Sequence, residues 1–444
     1  MHIQLSDHFT YQKLLRFTMP SVAMMIFMSI YSVVDGFFVS NFAGKTPFAA
    51  VNLMMPVLMI FSTVGFMFGT GGTALVAKTC GEGDREKANQ IFSLLVYLVF
   101  GLGLVFGIVG FLLARPIASL LGAEGALRDN CILYFRVILL ALPFSVLQMM
   151  FQSFFVAAEK PKLGFLVTVA SGVMNMLLDA ILCTMLPPEH RLLGAAIATA
   201  SSQLVGGAVP VIYFLRKNDS LLRLGKTKYD GRAVWKACAN GSSEFMSNIS
   251  MNVVGMLFNL QLMKYAGENG VAAYGVMMYV SMIFTAMFVG YSIGAAPPIS
   301  FHFGAQNHDE LKSLLRKSLV LCFSCGAVMV ASGLLLAVPL SELFVGYDAQ
   351  LRDLTVNGFR IFALSFAFIG FGIFSSGFFT ALNDGVTSAI ISFVRTMVFE
   401  CAAVMLLPLI MGINGIWLSV IVSEFLAVVL GVVFLLIKQK KYQY

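Results

Sequence analysis

Residues 41–51 read NFAGKTPFAAV, and residues 264–274 read KYAGENGVAAY. The offset between them is 223, close to half of a 444-residue chain. Both segments run on into a methionine pair, Met54-Met55 and Met277-Met278. Working outward, CGEGD (80–84) falls on FGAQN (303–307) at the same offset. FFVAAEKP (154–161) falls on FFTALNDG (378–385), and LGAAIATASSQL (193–204) on NGIWLSVIVSEF (414–425). Four blocks in register, in order, make the chain an internal repeat.

What repeats is membrane-spanning. The sequence is 59% hydrophobic and 11% charged, with a mean hydropathy of +0.87. Soluble domains carry about 25% charged residues, so this chain could not clothe a globular surface. A helix needs about 20 apolar residues to cross the hydrocarbon core. Apolar runs give twelve such spans, at 14–40, 48–77, 90–114, 130–157, 163–186, 193–215, 235–264, 270–300, 312–338, 353–381, 386–410 and 414–437. The expected fold is an all-α polytopic membrane protein, twelve transmembrane helices in two six-helix lobes. Six spans separate equivalents, so the two lobes share one orientation, a parallel repeat about the membrane normal as in secondary transporters.

The lobes are expected at 1–215 and 237–444, joined by the polar linker 216–236 with seven basic and two acidic residues. Twenty Lys and Arg fall in the segments on the side of the termini, six on the other. The positive-inside rule then puts both termini in the cytoplasm of a multi-pass cell-membrane protein. It also accounts for the net charge of +7 without nucleic acid. The run MHIQLSDHFTYQKLLR ahead of span 1 is not a cleavable signal. Cys322 and Cys325 form a CxxC inside an apolar span and read as small packing residues.

Ionisable groups at mid-bilayer are expensive and mark function by default. Asp35 lies in IYSVVDGFFVS and Asp179 in SGVMNMLLDAIL, with Asn175 one helical turn before Asp179 on the same face. Span 6 offers Thr199 and Ser202. Carboxylate, amide carbonyl and hydroxyl together suit Na⁺ or hold a proton; the alternative is a buried hydrogen-bonding role in packing. Glu244 reads either as a first-turn acid behind Ser242 or Ser243, or as a second cation or substrate site. Arg395 and Glu400 are five apart, about 500° around an α-helix, and poorly placed to pair. Arg395 is expected to neutralise Glu424 instead, making Arg395, Glu400 and Glu424 structural charges. No Walker motif, metal-ligand spacing or HxxxD pattern appears. ATP drive, a resident cofactor and an enzyme activity are therefore not expected.

These features together resemble the multidrug and toxic compound extrusion (MATE) family, over essentially the whole chain. The resemblance rests on SVVDGFFVSNFAG in span 1, GTGGTALVAKTCGEGDREKA after span 2, FFVAAEKPK after span 4 and N-x3-D in span 5. It implies a secondary antiporter that exports bulky, drug-like, often cationic compounds in exchange for Na⁺ or H⁺, by alternating access. It implies cation ligands at Asp35, Asn175, Asp179 and Thr199. A helix-4 Asn of some members is replaced here, with Gln152 or Ser153 nearby. Another branch uses acids on helices 7 and 10; Glu244 matches the first, but the stretch FALSFAFIGFGIFSSGFF (362–379) of span 10 has no acid, which favours the N-terminal lobe. A lipid or cell-wall-precursor flippase of the same superfamily is the alternative, and a monomer is the expected state because one chain holds both lobes.

Overall fold

A computed structural model describes residues 3–444, with the side chains of Phe37 and Ser40 left aside. Among the described residues there are helices and turns and no strand. Eleven elements have the length and composition of a span, one of them a bent pair. We name α1 (Tyr11–Phe38, continued by a π-turn Val39–Ala43), α2 (Lys45–Gly81), α3 (Arg85–Leu120), α4 (Gly125–Ala157), α5 (Pro161–Met185) and α6 (Arg191–Leu215). The next element, Gly231–Gly304, has 74 residues. At 1.5 Å per residue it would run about 110 Å, nearly four times the hydrocarbon thickness. Gly267, at φ 60° and ψ −150°, turns the chain there. It is therefore two spans, α7 (231–266) and α8 (268–304), which makes twelve in all.

α9 is His308–Val345. α10 is the bent pair Ala349–Ala363 and Phe366–Ala381, meeting at 46°. α11 (Gly385–Met411) carries a π-turn at Val394–Glu400, and α12 is Ile413–Tyr442. α7 begins at Gly231, inside the stretch expected as linker, because Asp230 caps it through the backbone N–H groups of Arg232 and Ala233. The rest of that stretch is pinned along α3. Arg223 N–H donates to Asn89 Oδ1 (2.8 Å), Gly225 N–H to Ser93 Oγ (3.0 Å) and Thr227 Oγ–H to the Gln90 carbonyl (2.8 Å).

The sequence repeat is also a repeat of backbone geometry. Positive φ angles recur at Gly44 and Gly267, at Gly83 and Gln306, and at Glu159 and Asn383. Asp84 caps α3 (3.0 Å to Lys87 N) as Asn307 caps α9 (3.2 Å to Glu310 N). Asp84 and Asn307 thus supply the same side-chain acceptor at equivalent turns, while the left-handed position is held by Gly83 in one half and Gln306 in the other, and by Glu159 and Asn383.

The two halves meet closely at the end that carries the termini. A Cβ on Gly71 of α2 would stand 2.1 Å from the Ala237 carbonyl oxygen of α7, and one on Gly304 of α8 would stand 2.1 Å from the Lys78 carbonyl of α2. Gly290 and Gly294 of α8 likewise press on Val22 and Thr18 of α1. Glycine lets these backbones touch, as small residues do between membrane helices. The N-terminal segment seals the same end. Leu5 and Phe9 are fully buried. Leu5 N–H donates to Glu159 Oε1 in the first half (2.7 Å), Phe9 N–H to Glu310 Oε1 in the second (2.8 Å), and Lys317 Nζ donates to the Phe9 carbonyl.

Candidate functional site: a buried carboxylate cluster

Three helices bring the first cluster together. Gly172 of α5 lets α1 approach, since a Cβ there would stand 2.5 Å from the Phe27 ring. Gly194 of α6 does the same against Leu182 of α5. With α1, α5 and α6 so close, Asn175, Asp179 and Thr199 all come within interaction range of the Asp35 carboxylate. Asp179 is 0% exposed and Asn175 1%.

Hydrogen bonding inside the cluster leaves oxygen over. Thr199 Oγ–H donates to the Ala195 carbonyl of its own helix (3.1 Å), and Asn175 Nδ2–H reaches Thr199 Oγ at 3.5 Å. Asp35 Oδ1, Asn175 Oδ1 and both Asp179 carboxylate oxygens are buried with no hydrogen-bond partner among the described residues. Buried polar atoms are nearly always satisfied, so four orphaned acceptors in one place call for a positive ligand. No lysine or arginine acts on Asp35 or Asp179; the charged group acting on each is the other acid. Two carboxylates in a low-dielectric site repel strongly, and a cation or a proton between them relieves that repulsion. The donor set is all oxygen, which suits a hard monovalent ion.

A polar tier lies beneath. Ser171 Oγ–H donates to the Ser202 carbonyl (2.7 Å), and Gln148 Nε2–H donates to Ser171 Oγ (3.3 Å). This ties α4, α5 and α6. Tyr31 of α1 and Tyr134 of α4 also lie within electrostatic reach of Asp35. Sequence reading passed over both. Both were readable as hydroxyls in apolar runs, Tyr31 one helical turn before Asp35 and Tyr134 in span 4.

The second half answers with a different cluster. Arg395 of α11 donates to Glu424 of α12 through Nε (3.0 Å to each oxygen) and Nη2 (2.8 Å), a fork that makes the charge pair expected from sequence. Gly372 of α10 clears the space; a Cβ there would stand 3.0 Å from Arg395 Nε. Among the described residues Arg395 pairs with Glu424 and makes no ion pair with Glu400, as the spacing led us to expect; the α11 π-turn, which bonds i to i+5, still leaves Glu400 within electrostatic reach of Arg395. Glu244 acts on it as well. It is not a first-turn acid: α7 begins thirteen residues earlier, and Ser242 Oγ–H is spent on the Ala239 carbonyl. Phe258, opposite Asp35 in the repeat, is fully buried and stacks on Tyr274 at 5.1 Å. The second half thus has a built-in cation, held by Glu424 and within electrostatic reach of Glu244 and Glu400, whereas no such cation acts on Asp35 or Asp179.

The MatE family model matches residues 20–181 and 245–406, one copy in each half. The Multidrug export protein MepA of Staphylococcus haemolyticus is 25% identical over 415 residues, 93% of this chain and 90% of its own length. The protein of that name from Staphylococcus aureus strain NCTC 8325 is 23% identical over 427 residues, 93% and 91% of the two chains. A solved structure described as the outward-facing conformation of a multidrug resistance MATE family transporter of the MOP superfamily matches with a TM-score of 0.93 at 21% identity. It covers 100% of this chain and 98% of that one. A crystal structure of MATE in complex with MaL6 matches with a TM-score of 0.91 at 21% identity, covering 98% of each. At these identities the solved structures establish the fold.

Proposed function

The chain belongs to the MatE family of multidrug and toxic compound extrusion transporters, and from that premise we propose that it is a secondary antiporter exporting amphipathic, often cationic compounds in exchange for Na⁺ or H⁺. The relatives named above as multidrug export proteins support this cargo class. They are transporters, and their names speak against an enzyme activity. The observation that carries the coupling reading is the pair Asp35 and Asp179, facing each other with unpartnered oxygens and no basic side chain acting on either.

In this reading the coupling ion enters from the outside, binds among Asp35, Asn175, Asp179 and Thr199, and leaves to the cytoplasm. The protein works as a monomer in the cell membrane with both termini cytoplasmic. Ion occupancy biases which end of the molecule opens. A cationic cargo and the ion compete for the same negative charge, which couples the release of one to the uptake of the other. A monovalent ion moving inward through 100 mV gains about 2.3 kcal/mol. At 1.4 kcal/mol per tenfold, that sustains roughly a 50-fold gradient of an uncharged cargo in one-to-one exchange. For a monovalent cationic cargo the charges cancel, so the ion's own concentration gradient must drive the exchange. The intramembrane acids outnumber bases at these sites, which disfavours the flippase alternative with its anionic cargo.

The test is efflux of a fluorescent organic cation from proteoliposomes with a sodium gradient alone or a pH gradient alone. Asp35→Asn is expected to abolish ion-driven efflux while the protein still inserts and folds. Undiminished efflux by that variant would sink the reading.

A further inference from the structure

Arg191 opens α6, and its guanidinium reaches the ends of two other helices. Nη1 donates to the Phe42 carbonyl at 2.9 Å, in the π-turn that ends α1. Nε donates to the carbonyl of Leu186, the residue that ends α5, at 3.2 Å. Helix C-termini leave carbonyls without intrahelical partners and carry partial negative charge, so one cation capping two of them is doubly favoured. The three helices joined by this fork are those that carry Asp35, Asn175, Asp179 and Thr199.

The clamp also sits at a uniform distance from the ligands. Asp179 lies seven residues before Leu186, Asp35 seven before Phe42, and Thr199 eight after Arg191. At 1.5 Å per residue each ligand is about 10–12 Å along its own helix from the fork. Between them lies Cys183, buried, with its thiol facing the Arg191 carbonyl at 3.9 Å.

We propose that Arg191 is a positioning residue for the cation site: its two-carbonyl fork sets the spacing of α1, α5 and α6, and with it the separation of Asp35 from Asp179. The inference rests on the reading of that cluster as the coupling site. The geometry, more than the charge, carries the role. Lysine keeps the charge but is a single-point donor that cannot reproduce the planar fork. Outer partners that orient ion ligands are worth 10–100-fold in ion affinity.

The experiment measures efflux rate against the concentration of whichever ion drives it, in proteoliposomes containing full-length wild type, Arg191→Lys, Arg191→Ala or Asp35→Asn. Arg191→Lys and Arg191→Ala are both expected to raise the half-saturating ion concentration by about tenfold, with a maximum rate within about twofold of wild type. A lowered maximum with unchanged half-saturation would mark Arg191 as structural and overturn the inference, as would failure of Arg191→Lys to insert and fold. A change in Arg191→Ala alone would show that charge acts, not the fork, and overturn it too. Ion-driven efflux persisting in Asp35→Asn would instead bring down the coupling reading itself.

Discussion

Asp35 and Glu424 are both carboxylates within the membrane, and the chain treats them in opposite ways. Glu424 is 4% exposed and held by both arms of Arg395, so its charge is met within the protein. Asp35 keeps an unpartnered oxygen, and no basic side chain acts on it. Truncating one member of a buried ion pair strands the other, at a cost of about 3–5 kcal/mol, while replacing both by apolar groups is often neutral. Arg395→Met is therefore expected to lower the melting temperature sharply, and Arg395→Met combined with Glu424→Leu to recover most of the loss. A double-mutant cycle on the purified protein reads this directly. At this scale the sequence was informative about acids, because any charge in an apolar run stands out. It was silent about Arg191, whose partners are backbone carbonyls with no side-chain signature.

Among elements, the turns between helices are the most sharply specified. Asp384 caps α11 (3.2 Å to Thr387 N), accepts from the Tyr442 hydroxyl of α12 (2.8 Å), and pairs with Lys438 (3.3 Å). Burial alone would push this carboxyl up; the Tyr442 hydroxyl, Thr387 and the Lys438 ammonium outweigh burial and hold it below the ordinary carboxylate range. A carboxyl lowered on folding stabilises the native state above its unfolded value of about 3.9, and that contribution fades as pH falls through the folded value. Asp384→Asn keeps a capping oxygen and loses the charge. Its melting temperature should lie below wild type at pH 7, and the gap should close as the pH approaches 3. A gap independent of pH would count against the charge. The repeat did not announce this cap, since the counterpart of Asp384 is Lys160, which makes no side-chain cap. The π-turn in α11 had no signature either, because apolar periodicity over the seven residues Val394–Glu400 does not distinguish it from an α-helix; the pairing of Arg395 with Glu424 and not with Glu400 was legible all the same.

For the whole molecule, the closed end is where function and packing meet. Gly71 and Gly304 sit against backbone atoms of the other half, which cannot swing aside as a side chain would. Gly304→Ala should cost the closed arrangement about 1–3 kcal/mol, the usual penalty of overpacking. It should populate molecules open at the terminal end, seen as a longer distance between spin labels placed on α2 and α8. An unchanged distance distribution would show that the contact does not hold the halves together. By itself the sequence determined the membrane class, twelve helices, their repeat and the acids at stake, since those follow from hydropathy, spacing and the cost of charge in lipid. Only the tertiary structure decided which acids share a site, that Arg395 serves one half while the other has no counterpart, and that Arg191 clamps three helix ends. The reason is physical: a helix face is written in residues three and four apart, but which faces meet depends on close approaches between helices far apart in the chain.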